Sequence, residues 1–124
     1  MKESKKILVV DDEEILRMLI ADTLSFEGFE VEEAADGQEG FEKASAGGYD
    51  VILLDYMMPR LTGPEVLEKL RPLGLGIPVI MLTAKAQQSD RDLAAELGAA
   101  YFMPKPFSPA ELVALVRQVL QVDE

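Results

Sequence analysis

Five residues spread along the chain are of types that do chemistry together: Asp11, Asp12, Asp55, Thr83 and Lys105. Each stands at or just past the end of a short apolar run. Asp11 and Asp12 follow residues 7–10, Asp55 follows 51–54, Thr83 follows 79–82, and Lys105 lies just beyond 101–103. Singly, each has an ordinary explanation: a helix cap, a turn aspartate, a strand-end hydroxyl, a solvated lysine. Together they are harder to dismiss, because three carboxylates gathered at one place repel one another and something must offset that charge. A hard divalent cation with oxygen ligands does so. Magnesium is the default, since it keeps waters and binds through one or two carboxylates plus a phosphate, and manganese can substitute for it. A cation held beside a further carboxylate, a hydroxyl and an ammonium suits transfer of a phosphoryl group to aspartate: positive charge neutralises the equatorial oxygens while the carboxylate attacks in line. Asp55, at the end of a central strand and before a turn, is the candidate nucleophile. Asp12 is the candidate direct metal ligand, with Asp11 acting directly or through water.

That chemistry requires four distant segments to converge, and the hydropathy pattern supplies the means. Ile7-Leu8-Val9-Val10, Val51-Ile52-Leu53-Leu54 and Val79-Ile80-Met81-Leu82 are continuous apolar runs, as expected of strands buried on both faces. Residues 29–34 alternate and read as a half-exposed strand near an edge; residues 101–103 read as a brief fifth strand, where Pro104 is tolerable at an edge. Between them lie helical stretches. Leu16, Leu19, Ile20, Thr23 and Leu24 share one face of a helix that Gly28 can close. Asp36 with Glu39 has capping-box spacing, and that helix fades at Gly47-Gly48. Thr62-Gly63-Pro64 starts a short helix carrying Val66, Leu67 and Leu70, and a fourth runs from about residue 87 to 97 before Gly98. Ser108-Pro109-Ala110-Glu111 is a strong start for a last helix that buries Leu112, Leu115, Val116, Val119 and Leu120. Repeated strand–helix alternation predicts an α/β domain, a parallel sheet with helices on both faces, and such sheets bind ligands at the carboxyl ends of their strands.

Composition narrows the field. The chain has 124 residues, enough for one domain, and no internal repeat or linker divides it. With 12 basic against 23 acidic residues its net charge is −11, a field that repels nucleic acid and anionic lipid and attracts cations or basic protein surfaces. It has no cysteine and no histidine, which removes Ser-His-Asp and Cys-His catalysis, histidine-ligated zinc, and any phosphohistidine of its own. The apolar run after Met1-Lys2-Glu3-Ser4-Lys5-Lys6 is too short for a signal peptide or a membrane span, so a cytoplasmic protein is expected.

Asp11-Asp12 after an apolar strand, Asp55-Tyr56-Met57-Met58-Pro59 with Gly63, Thr83-Ala84, and Lys105-Pro106-Phe107 together resemble the receiver domain of two-component response regulators, over essentially the whole chain and in the expected order. The resemblance implies a flavodoxin-like, five-stranded sheet of order 2-1-3-4-5 flanked by five helices. It implies Asp55 as phosphoacceptor, magnesium bound by Asp12, Asp55 and the backbone carbonyl of Met57 with Asp11 assisting, Thr83 and Lys105 contacting the phosphoryl group, and a cis bond at Lys105–Pro106. By the same resemblance the donor is a histidine kinase or histidine phosphotransfer protein. The domain then catalyses only its own phosphorylation and dephosphorylation, and Thr83 and Phe102 switch a surface of the fourth helix, fifth strand and fifth helix toward a protein target. Phe102 stands where tyrosine is common. Met57 and Lys85 stand where side chains can tune access of water to the acyl phosphate. Ala100 and Tyr101 replace aspartates common in the dimerising transcription-factor class, which favours a monomer. With one such domain in residues 1–124, a stand-alone receiver without an output domain is expected.

Other readings fit less well. An aspartate-nucleophile phosphohydrolase would need a second acid two residues after Asp55, where Met57 stands. A receiver-like binding module that is never phosphorylated would not need the full acidic set and Lys105. No strand is followed by G-x-G-x-x-G or a Walker-type lysine loop, which disfavours a nucleotide-binding fold.

Overall fold

Strands form where the apolar runs stand, and they pair into one sheet. A computed structural model describes residues 4–84 and 88–121. In chain order the strands are β1 (Lys6–Val10), β2 (Glu30–Ala34), β3 (Val51–Asp55), β4 (Val79–Thr83) and β5 (Tyr101–Pro104). The helices are α1 (Glu14–Phe26), α2 (Gly37–Ser45), α3 (Gly63–Leu70), α4 (Gln88–Glu96) and α5 (Pro109–Leu120), with a 3-10 turn over Arg71–Leu73. All paired strands are parallel and the order is β2-β1-β3-β4-β5. The expected topology holds, and β2 and β5 are the edges.

Two apolar layers follow from the period-2 alternation of strand side chains. Leu8, Val10, Ile52, Leu54 and Met81 pack on one face with Ala44 of α2, Val66 and Leu67 of α3, and Ala94 of α4. Ile7, Val9, Leu53, Ile80 and Leu82 pack on the other with Ile20 and Leu24 of α1 and Leu112 and Val116 of α5. Because both faces are covered, the central strands read as unbroken apolar runs rather than alternating ones. At the open edges, β2 carries Glu30, Glu32 and Glu33, charges that discourage pairing with another chain. The amide of Lys105 donates to the Thr83 carbonyl, so the preceding nitrogen, that of Pro104, faces the open side of β5 where no ladder bond is lost.

The capping boxes at Thr62/Glu65 and Ser108/Glu111 are both formed. Two local expectations need correction. At α2 the Asp36 carboxylate accepts from the Glu39 amide, but Glu39 reaches back to the Ala35 amide, one residue beyond the box partner. On α1 the buried stripe is Ile20, Ala21 and Leu24, while Leu19 is 59% exposed, because the helix turns its Ile15–Leu19 side toward solvent. At the start of α1 the cap position is held by Glu13, whose side chain makes no capping bond, and Asp11 accepts from the Glu13 amide. The expected start of the fourth helix at Gln87, and Lys85, lie outside the described residues.

Candidate functional site

Strand ends deliver the chemistry. Asp11 directly follows β1 and is fully buried; Asp55 is the last residue of β3 and is 5% exposed; Thr83 is the last residue of β4 and is fully buried. Asp12, next in the β1–α1 loop, is exposed. One carboxylate oxygen from each of Asp11, Asp12 and Asp55 lies within 4.8 Å of the others. Lys105 reaches in from the loop after β5: its Nζ is 3.1 Å from Asp55 Oδ1, 3.3 Å from Asp11 Oδ2 and 3.7 Å from Glu13 Oε1.

The backbone explains why these side chains meet. The Asp11 amide donates to the Ala34 carbonyl at 3.2 Å, extending the β1–β2 ladder by one residue, and Asp11 Oδ1 accepts from the Glu13 amide at 2.9 Å. The Tyr56 amide donates to the Leu82 carbonyl at 2.8 Å, so Asp55 leaves β3 with its neighbour strand still paired, and Thr83 lies one step beyond Leu82, the register partner of Asp55. Lys105 is tied to β4 by its amide bond to the Thr83 carbonyl at 2.7 Å, and its peptide to Pro106 is cis as expected. Gly63 makes the turn after Asp55 possible: a Cβ there would stand 2.5 Å from the Asp55 carbonyl oxygen. Its amide donates to the Tyr56 carbonyl at 2.9 Å.

Burial and crowding set the electrostatics. Desolvation, with the nearby Asp11 charge, pushes the Asp55 carboxyl up to about 6, against an opposing pull from Lys105. Desolvation also raises Asp11, partly countered by the Glu13 amide and Lys105. Burial pulls Lys105 down, but Asp11 and Asp55 more than offset it and the ammonium ends above its ordinary value. Among the described residues, the Lys105 ammonium thus stands against the carboxylates of Asp11, Asp55 and Glu13, with Asp12 alongside. That unbalanced negative charge, presented by oxygens close enough to share one ion, fits a hard divalent cation.

Of the remaining expected residues, Met57 stands in the β3–α3 loop with its side chain 54% exposed. Phe102 lies on β5, half-buried against the α3/α4 side of the core, with the Arg91 guanidinium 4.9 Å from its ring centroid. Two participants were not foreseen. Glu13 joins the carboxylates facing Lys105, and Arg17 donates from Nη1 to the Asp11 carbonyl at 2.8 Å. Their spacing on α1 is that of any solvent-facing charge, so the sequence offered no signal for either.

A parallel sheet of this order, carrying three carboxylates and a lysine at its carboxyl edge, defines a flavodoxin-like α/β domain with an acidic cluster that could hold a metal ion. The chain belongs to the response regulator receiver domain family, whose model matches residues 7–117. It is a receiver domain of two-component signal transduction. It is 46% identical over 121 residues to the alkaline phosphatase synthesis transcriptional regulatory protein PhoP of Bacillus subtilis, covering 98% of this chain and 50% of that protein. It is 43% identical over 116 residues to the transcriptional regulatory protein CpxR homolog of Haemophilus influenzae, covering 94% and 50%. The chain spans about half the length of the curated relatives it matches. Among solved structures, a CheY-like receiver domain protein from Methanospirillum hungatei superposes with a TM-score of 0.91 at 33% identity, covering 96% of this chain and 95% of that one. The receiver domain of a sensor histidine kinase from Pseudomonas aeruginosa superposes with a TM-score of 0.87 at 31% identity, covering 96% and 99%; it was solved with a magnesium ion coordinated in its active site cleft. Among the described residues no helix is long and apolar enough to cross a membrane.

Proposed function

We propose that this receiver domain accepts a phosphoryl group on Asp55 from the phosphohistidine of a partner kinase or phosphotransfer protein. The observation that carries this reading is the meeting of Asp11, Asp12 and Asp55 oxygens within 4.8 Å, with Lys105 Nζ 3.1 Å from the acceptor carboxylate. Having no histidine, the chain depends on its partner for the donor group.

An oxygen of Asp55 forms the new bond to phosphorus as the bond from phosphorus to the donor imidazole nitrogen breaks, and the electron pair returns to the imidazole. Lys105, freed from Asp55 as that carboxylate becomes an acyl phosphate, keeps its ammonium against the phosphoryl oxygens, and the Thr83 hydroxyl offers them a hydrogen bond. Asp11, Asp12, Asp55 and the main-chain carbonyl of Met57 would hold magnesium or manganese, which supplies positive charge for the transferring group. Water later attacks the phosphorus, the bond from phosphorus to the Asp55 oxygen breaks, and inorganic phosphate leaves with the carboxylate restored, so the domain promotes only its own phosphorylation and dephosphorylation. Met57, two residues past the acceptor and 54% exposed, tunes the access of that water.

Phosphorylation biases the α4–β5–α5 surface through Thr83 and Phe102, and that surface engages a protein target as a monomer in the cytoplasm. Both residues stand at this end of the sheet, Thr83 being the register partner of Pro104, two residues beyond Phe102. Incubation with a small acyl phosphate and magnesium, followed by intact-mass measurement, tests the core of the reading. Wild type gains one phosphoryl group and Asp55→Asn gains none; equal labelling of the two refutes the assignment.

A further inference from the structure

The acidic loop carrying Asp11 and Asp12 is held by an arginine with no place in the chemistry above. Arg17, in the second turn of α1, has only 14% of its side chain exposed. Its Nε donates to Glu33 Oε1 on β2 at 2.9 Å and its Nη1 to the main-chain carbonyl of Asp11 at 2.8 Å. With that bond, both main-chain polar groups of Asp11 and both its carboxylate oxygens have partners: the amide on Ala34, the carbonyl on Arg17, Oδ1 on the Glu13 amide and Oδ2 on Lys105.

The carbonyl contact matters because a peptide unit is planar. Holding the Asp11 oxygen fixes the plane that also contains the Asp12 nitrogen and α-carbon. Asp12 is exposed, and its capping role on α1 is not formed, so its direction depends on the peptide before it. A lysine ammonium is a single point that would have to lie within reach of both acceptors at once, whereas the rigid fork of an arginine spans two acceptors on different elements at fixed separation.

We propose that Arg17 is a positioning residue: braced by Glu33, it clamps the Asp11–Asp12 peptide and thereby aims Asp12 at the cation site. The proposal rests on the reading of Asp11, Asp12 and Asp55 as the cation-binding, phosphoryl-accepting set.

Magnesium binding by titration calorimetry, well below the melting temperature of every variant, tests it beside acyl-phosphate labelling. Arg17→Met keeps the apolar stem and removes both donors. It is expected to weaken magnesium binding about tenfold, the usual scale for a residue that orients a ligand from behind. Its labelling is expected to be slow at limiting magnesium and to approach the wild-type rate in excess magnesium; because the assay is run where each variant is already folded without magnesium, that recovery reports cation affinity and not the stabilisation that a bound ligand gives. Arg17→Lys, restoring the positive charge without the fork, is expected to recover part of the affinity. If Arg17→Met is folded and binds magnesium as tightly as wild type, Arg17 merely ties α1 to β2 and the proposal is overturned. Should Arg17→Met not fold, Glu33→Ala decides in its place: it frees one end of the guanidinium, and an affinity equal to wild type overturns the proposal. A wild-type protein that neither binds magnesium nor accepts a phosphoryl group overturns the underlying reading and this one with it. Labelling by Arg17→Met equal to that of an active wild type at limiting magnesium removes the Arg17 role alone.

Discussion

At the carboxyl end of the sheet Asp11, Asp55 and Thr83 are buried, and the carboxyl of Asp55 is pushed up to about 6. At the amino end, under the same strands, Ile52, Leu67, Leu70, Ile77, Val79 and Leu97 line an open cavity of about 190 Å³, with glycine turns at Gly74, Gly76 and Gly98, φ of 59°, 70° and 109°, also lining it. One end spends stability on desolvated charge; the other gathers apolar side chains, with room left unfilled. Substitutions at the two ends should therefore uncouple stability from chemistry in opposite ways.

The largest effect is expected from Lys105→Met. It leaves Asp11 and Asp55 buried without their ammonium, and breaking a buried ion pair from one side costs about 3 kcal/mol or more. Denaturant melts should show the loss, magnesium should restore part of it by binding the folded state, and labelling should fall sharply. Leu70→Ala, at the other end, is expected to cost about 2–3 kcal/mol by enlarging the apolar cavity. Magnesium affinity and labelling should stay at wild-type values in the fraction that is folded; a change in either would couple the two ends.

Asp55→Asn should stabilise the metal-free protein. Because the folded pKa of about 6 lies above the ordinary 3.8, the native state keeps a proton that the unfolded chain has released. The contribution of this carboxyl to stability therefore falls as pH rises from about 4 to about 6 and stays low above that. The stability difference between Asp55→Asn and wild type, read from denaturant melts, should grow across that window by about 2–3 kcal/mol toward neutral pH, and shrink when magnesium is added. A difference independent of pH would argue against a desolvated, ionised Asp55. The smallest effect is expected from Val79→Ile, a single added methylene beside the cavity, which should stabilise by about 0.5 kcal/mol in the same melts and leave labelling alone.

Much of this molecule was legible in its sequence because the relevant physics is local. A strand buried on both faces must be apolar throughout, so three of the five strands announce themselves, and their ends mark where ligands bind. Ser108-Pro109-Ala110-Glu111 and Thr62-Gly63-Pro64-Glu65 encode their caps within four residues, and both caps form. Asp11, Asp12, Asp55 and Lys105 were identifiable as a set because chain order plus parallel topology brings them to one edge. Tertiary packing decided the rest. Which side of α1 turns inward depends on how the helix settles on β1, β3 and α5, so Leu19 is left outside a stripe that its spacing alone would include. Asp11 rather than Asp12 binds the Glu13 amide because the strand ladder continues through the Asp11 amide and fixes that residue first. Arg17 and Glu13 gained roles near the site through distances between elements, which helical spacing does not encode.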